Sequence, residues 1–120
     1  MARNGGGTIT VPNILTIPFT VYVRGRLSAE MDSDVEPVTV TMILSRKSLK
    51  RSWYMDSVDL DRVRLMCPGI GRKGNTGAVT LEPVIRKAAT ILRERGIDPV
   101  SVKRWNLNFP QFLVQRVIYG

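Results

Sequence analysis

Histidine is absent from this chain and cysteine occurs once, at Cys67. Without histidine no side chain titrates near neutrality in its ordinary state, so general acid–base catalysis would need a strongly shifted carboxylate or lysine. No paired-carboxylate motif singles one out. A lone cysteine forms no disulfide within the chain, and the Cys/His sets that hold zinc cannot be assembled. Cys67, between Met66 and Pro68, reads as a small buried hydrophobe. No apolar run approaches the roughly 18 residues that a transmembrane helix needs. Residues 1 to 7 show no hydrophobic stretch of signal-peptide type after Arg3. Ala2 stands where myristoylation requires glycine, and the closing Val-Ile-Tyr-Gly is no prenylation box. These absences predict a non-enzymatic protein without cofactor or metal, in a soluble intracellular compartment, cytoplasm or nucleus.

What the chain does have is positive charge, unevenly placed. Fifteen of its eighteen Lys and Arg lie from Arg46 onward, against six carboxylates in the same stretch, whereas the part before Arg46 is close to neutral. Ten of these cations form adjacent pairs: Arg46-Lys47, Lys50-Arg51, Arg72-Lys73, Arg86-Lys87 and Lys103-Arg104. They are spread over segments whose hydrophobic pattern is that of folded elements, and a folded basic surface suits a polyanion. Nothing is left for the charge to do if folding scatters it, so this reading requires the pairs to converge.

At 120 residues and 43% hydrophobic content the chain fits one domain with a modest core. Residues 1 to 7, with three consecutive glycines, read as a flexible leader, and residues 8 to 120 as a single α+β domain. Leu15 to Arg24 alternates without a break, odd positions apolar, which predicts a strand with one apolar face. Pro18 inside it points to a sheet edge or a local break. Val38 to Leu44 alternates in the same way, and the two segments are expected to pair as an antiparallel hairpin. Between them Glu30, Asp32, Asp34 and Glu36 recur at every second position. Such spacing resembles a hard-cation loop, but the EF-hand pattern is missing and a solvated acidic connection is the preferred reading.

Lys47 to Met55 reads as a third strand with Leu49, Arg51, Trp53 and Met55 on one side. Val58 to Cys67 fits either a strand or a short helix with Ser57 as N-cap. The clearest helix, over about residues 81 to 95, places Leu81, Val84, Ile85, Ala88, Ile91 and Leu92 on one face. Thr80 suits its N-cap, Pro83 its first turn, Glu82 its positive end, and Gly96 stands just past its close. Val100 to Leu107 reads as a strand bulged at Lys103-Arg104, and Phe109 to Tyr119 as either a strand or a short helix opened by Asn108 and Pro110. A small antiparallel sheet carrying one amphipathic helix and one or two short ones is the economical assembly.

Three segments are candidates for binding. Pro68 to Gly77 holds four glycines with Arg72 and Lys73 ahead of the main helix, a setting in which backbone amides can turn toward a phosphate. It departs from the phosphate-loop pattern, since Asn75 occupies the lysine position and the helix starts late, so nucleotide hydrolysis is not expected. Arg46, Lys47, Lys50 and Arg51 lead into Trp53 and Tyr54, pairing phosphate-neutralising cations with rings on which unpaired bases stack. Lys103, Arg104 and Trp105 repeat that pairing. Arg86 and Lys87 add charge to the outer face of the helix.

The expected partner is nucleic acid, contacted mainly through its phosphate backbone at Arg46, Lys47, Lys50, Arg51, Arg72, Lys73, Arg86, Lys87, Lys103 and Arg104, with Tyr54, Trp53 and Trp105 as stacking candidates. RNA or single strands are favoured because no duplex-reading motif is recognisable. The alternative is a self-assembling, viral matrix-like or other structural protein on an anionic membrane surface or nucleocapsid, forming a homo-oligomer through edge strands.

Overall fold

The computed structural model describes residues 12–24, 35–67 and 77–120. The glycine-rich leader, the acidic connection from residue 25 to 34 and the glycine-rich segment from 68 to 76, with Arg72 and Lys73, lie outside the described residues. The fold is α+β: a three-stranded antiparallel meander with helices against one face.

Strand β1, Ile14–Arg24, pairs along its whole length with β2, Val35–Ser45. The register sets Ile17 opposite Met42, Phe19 opposite Val40 and Val21 opposite Val38, so the apolar positions of both strands meet on the buried face. Pro18 faces Thr41 on a strand with a single neighbour among the described residues, where its missing N–H leaves no ladder bond unmade. Strand β3, Tyr54–Asp59, continues the meander, pairing with β2.

Strict alternation from Met55 would turn Ser57 inward and Val58 outward. The register instead shifts between Ile43 and Leu44: Val58 faces Met42, Ser57 faces Ile43 and Met55 faces Leu44, so that Asp56 is the unpaired extra residue. This bulge puts both Met55 and Val58 on the apolar side and leaves Asp56 in solvent.

Two expectations for this region need correcting. The segment before Tyr54 is a loop rather than strand: a turn closes where Arg51 N–H donates to Ser48 O (3.0 Å), and Leu49 is 61% exposed. Ser57 is not a helix cap but a paired strand residue. After β3 the chain does turn helical, in α1, Asp61–Met66, where the Asp59 carboxylate accepts from Asp61 N–H at 3.0 Å and Val63 enters the core. Strand and helix thus share the segment between them.

Helix α2, Ala78–Glu94, begins three residues earlier than the sequence pattern suggests. Its N-cap is Gly77, left-handed at φ 74°, whose carbonyl receives Leu81 N–H at 2.7 Å. Thr80 therefore lies inside the first turn, and its hydroxyl donates to Cys67 Sγ at 3.7 Å. Glu82 and Pro83 fall in the second turn. Pro83 cannot donate to the Val79 carbonyl, but Val79 is 92% exposed, so water can satisfy that acceptor. Leu81, Val84, Ile85, Ala88, Ala89 and Leu92 are buried, and each of the larger side chains contributes roughly 1.5–3 kcal/mol. Helix α1 rests on β1 and β2, and α2 on β1.

Beyond α2 the expected strand is replaced by two 3-10 turns, Pro99–Ser101 and Trp105–Leu107. Local chemistry overrides the alternation here. Asp98 accepts from Val100 N–H at 3.0 Å and Pro99 follows it with φ already helical, which starts a turn where the pattern asks for extension. Trp105 then enters the core, donating from Nε1 to Pro99 O at 3.0 Å and packing 6.3 Å from the Phe109 ring. The chain ends in α3, Gln111–Val114, continuing as a π turn over Gln115–Tyr119, which settles the last segment as helical.

The close of α2 is a Schellman motif: Gly96 N–H donates to Arg93 O and Ile97 N–H to Leu92 O, both at 2.9 Å, with Gly96 at φ 77°. Among the described residues, chain neighbours aside, no atom lies within 4 Å of a Cβ built at Gly96, so the backbone conformation is what penalises a side chain there. Gly96→Ala should therefore cost about 1–2 kcal/mol in urea unfolding, the left-handed penalty of an L-residue. An unchanged midpoint would show that the motif is dispensable.

Candidate functional site

The loop after β2 begins at Arg46, and its guanidinium is heavily engaged. Nε donates to Asn13 Oδ1 at 3.2 Å, one terminal nitrogen to Pro12 O at 3.1 Å and the other to Leu49 O at 3.4 Å, while the group lies 4.3 Å from the centre of the Trp53 ring. Arg46 thus ties residues 12 and 13 to the loop and covers the ring that sequence reasoning offered as a stacking platform. All these acceptors are neutral, so the charge itself is not cancelled. Lys47, Lys50 and Arg51, further along the loop, are exposed.

At the end of the loop the structure joins two basic segments that are distant in sequence. Tyr54 forms a parallel bridge with Lys103: Lys103 N–H donates to Trp53 O and Met55 N–H donates to Lys103 O, both at 2.9 Å. Asn108 adds a side-chain clasp, Nδ2 donating to Met55 O at 3.2 Å and to Arg104 O at 3.3 Å. Arg104, at φ 69°, is the one non-glycine residue with positive φ among those described, and its guanidinium sits 4.9 Å from the Tyr54 ring centre. The left-handed backbone lets Trp105 turn into the core while Arg104 stays outside on Tyr54.

Arg46, Lys47, Lys50, Arg51, Lys103 and Arg104 therefore belong to one end of the sheet, where β3 opens. Among the described residues none of them has an ion pair within 4.0 Å. Trp105 must be removed from the stacking candidates: at 1% exposure, with its N–H satisfied internally, it is a core residue. Trp53 and Tyr54 are half-buried, each carrying an arginine on its ring.

Arg86 and Lys87 belong elsewhere. Arg86 donates to Glu82 Oε2 at 2.9 Å and Arg116 donates to Glu82 Oε1 at 2.7 Å, so one carboxylate is shared by two guanidiniums where α2 meets the π turn after α3. Arg116 also lies 5.9 Å from the Phe112 ring centre. Lys87 is exposed beside them. Sequence reasoning assigned Glu82 to the helix dipole and missed Arg116 altogether; the four-residue step from Glu82 to Arg86 was the visible half of this cluster. Among the described residues no group of three acidic or cysteine side chains is placed to hold a metal ion, and no helix is long and apolar enough to cross a membrane.

No protein-family description, curated protein or solved structure matches this chain.

The Glu82 carboxyl is held below its ordinary pKa of 4.5, first by the hydrogen bond from Arg86 and then by that from Arg116. A carboxyl whose pKa is lower folded than unfolded stabilises fully above the unfolded value, and the effect fades as pH falls through the folded one. The Tm advantage of the wild type over Glu82→Gln should therefore be present near neutrality and shrink below about pH 4.5. A difference independent of pH would mean that the two arginines do not act through this carboxylate.

Proposed function

We propose that the protein binds nucleic acid, unpaired strands or RNA in preference to duplex DNA, through phosphate contacts at the end of the sheet where β3 opens. The observation that supports this reading is the Tyr54–Lys103 bridge, which brings Lys103 and Arg104 to the exit of the loop bearing Lys47, Lys50 and Arg51. These cations have no ion-pair partner among the described residues. A cluster of uncancelled cations repels itself, and a polyanion relieves that repulsion while releasing its own counterions.

The cations lie on a loop and a bridge rather than on a helix that could enter a major groove. That favours strands able to bend around a compact basic end. Tyr54 and Trp53 are half-buried beside the cations, each with an arginine on its ring, and the part left accessible can add contact with sugars or bases. Among the described cations, Arg86 and Arg116 contribute least, since they share a carboxylate. Arg72 and Lys73 remain candidates by sequence alone.

If about six cations meet phosphates, the logarithm of affinity for a single strand falls with log salt at a slope of about −4. Replacing Lys47, Lys50 and Arg51 together with Ala should weaken binding of a labelled single-stranded RNA and reduce that slope by about two, with Tm unchanged because the side chains are exposed. A flat salt response, or an unaltered slope in the triple variant, would overturn the reading. So would salt-dependent flotation with phosphatidylserine vesicles in the absence of any oligonucleotide binding, which would assign the same cations to a lipid surface.

A further inference from the structure

Just beyond Arg104 the chain forms a pocket of about 200 Å³, lined by Trp105, Asn106, Gln111, Val114, Gln115 and Tyr119. Its chemistry differs from that of the basic loop. Its lining residues include three with carboxamides and one with a phenol beside the almost fully buried Trp105 and Val114, and none of them is charged. Gln111, Gln115 and Tyr119 recur at steps of four, which puts them along one side of α3 and the π turn that prolongs it. Short π segments recur at functional sites, and this one carries two of the lining residues.

Among the described residues none of these carboxamides has a hydrogen-bond partner within the chain, in contrast to Asn108, which is used twice. The pocket therefore offers neutral donors and acceptors together with a ring, Tyr119, that is 45% exposed. Such a set suits neither a phosphate, which wants cations, nor a metal ion, which wants carboxylates or thiolates. It does suit a flat, neutral heterocycle with donors and acceptors around its edge, and the volume has room for a single ring system rather than a larger ligand.

Asn106 stands two residues from Arg104, so the Cα atoms of cation and pocket are at most about 7 Å apart. We infer that the pocket takes one unpaired nucleobase of a strand whose phosphates lie on Lys103 and Arg104, with adenine preferred over pyrimidines. This rests on the nucleic-acid reading above. Adenine is favoured because a carboxamide matches its N6 amino group and N7 in a bidentate pair, whereas guanine is matched by arginine, and no arginine lines the pocket. Tyr119 supplies the ring against which the base stacks. The sequence offered Trp105 for that task; the structure buries it and exposes Tyr119 in the same pocket.

The test measures anisotropy of labelled oligoadenylate, oligouridylate and oligocytidylate of equal length with the full chain, across a salt titration. The wild type should bind oligoadenylate at least about fivefold more tightly than either pyrimidine strand. Gln111→Ala combined with Gln115→Ala should abolish that preference while leaving the salt slope intact. Equal affinities for the three strands with a steep salt slope would overturn the base pocket and leave the phosphate reading standing. Absence of salt-dependent binding to any strand would overturn both. Titration of the unmodified chain with adenosine monophosphate and, separately, inorganic phosphate gives a check that needs no variant. Shifts in the side-chain amide resonances of Gln111 and Gln115 with the nucleotide alone support the pocket, and an identical response to both ligands overturns it.

Discussion

The two hydrogen bonds that Lys103 exchanges with the backbone of Trp53 and Met55 are the joint on which the basic end depends. They connect the sheet to a segment some fifty residues later in the chain, and no other pairing among the described residues links β3 to the C-terminal part by backbone. A single bridged residue is a weak ladder taken alone, since each bond adds only about 0.5–1.5 kcal/mol net. It holds because both flanks are fixed: Met55 and Trp105 are fully buried on either side, and Asn108 ties the Met55 and Arg104 carbonyls together. Packing places the two strands of chain, and the hydrogen bonds then set their register.

The arginines divide into those that build the fold and those that keep their charge available. Arg46 uses its planar fork to gather two backbone carbonyls and an amide oxygen, a task that the compact ammonium of lysine would do poorly. Because every acceptor is neutral, this structural role leaves the positive field in place. Arg116 ties the π turn after α3 to α2 through Glu82, which Arg86 shares from within α2, and both arginines lose part of their charge in doing so. Such exposed pairs contribute little to stability. Their consequence is electrostatic: the carboxylate cancels part of the charge on these two arginines, whereas the cations of the loop and bridge have no ion pair among the described residues.

The hairpin was legible in the sequence because burial on one face imposes a period of two, which Leu15 to Arg24 keeps throughout and Val38 to Leu44 keeps save for Ile43 on its outer face. The apolar face of α2 was equally plain, although its start was not: Thr80 looks like a cap, but a left-handed Gly77 opens the helix earlier, and nothing in the local pattern distinguishes the two. Alternation misled where a turn signal competed with it, at Asp98-Pro99. It also fell short where a bulge repaired it, at Asp56. The cation-aromatic pairings were visible as neighbours in sequence, but their partners were not, because Arg46 stacks on Trp53 and Arg104 on Tyr54 through tertiary contacts that no spacing encodes. Gln111, Gln115 and Tyr119 left no signal at all, since exposed amides at steps of four are ordinary on any helix.

Arg104 is where backbone strain, ring stacking and available charge meet in one residue. Its left-handed backbone costs about 1–2 kcal/mol for an L-residue, which glycine would avoid. The stack on Tyr54 offsets roughly 0.5–1 kcal/mol of that at a partly exposed site. The conformation persists because the bridge before it and the Asn108 clasp after it leave the chain no other course. A cation held in this way differs from a lysine free in solvent: its backbone is fixed and its guanidinium is laid against a ring before any ligand arrives. Ordering such a group on binding costs less than ordering a free one, and the residue next to the polar pocket is the one so prepared.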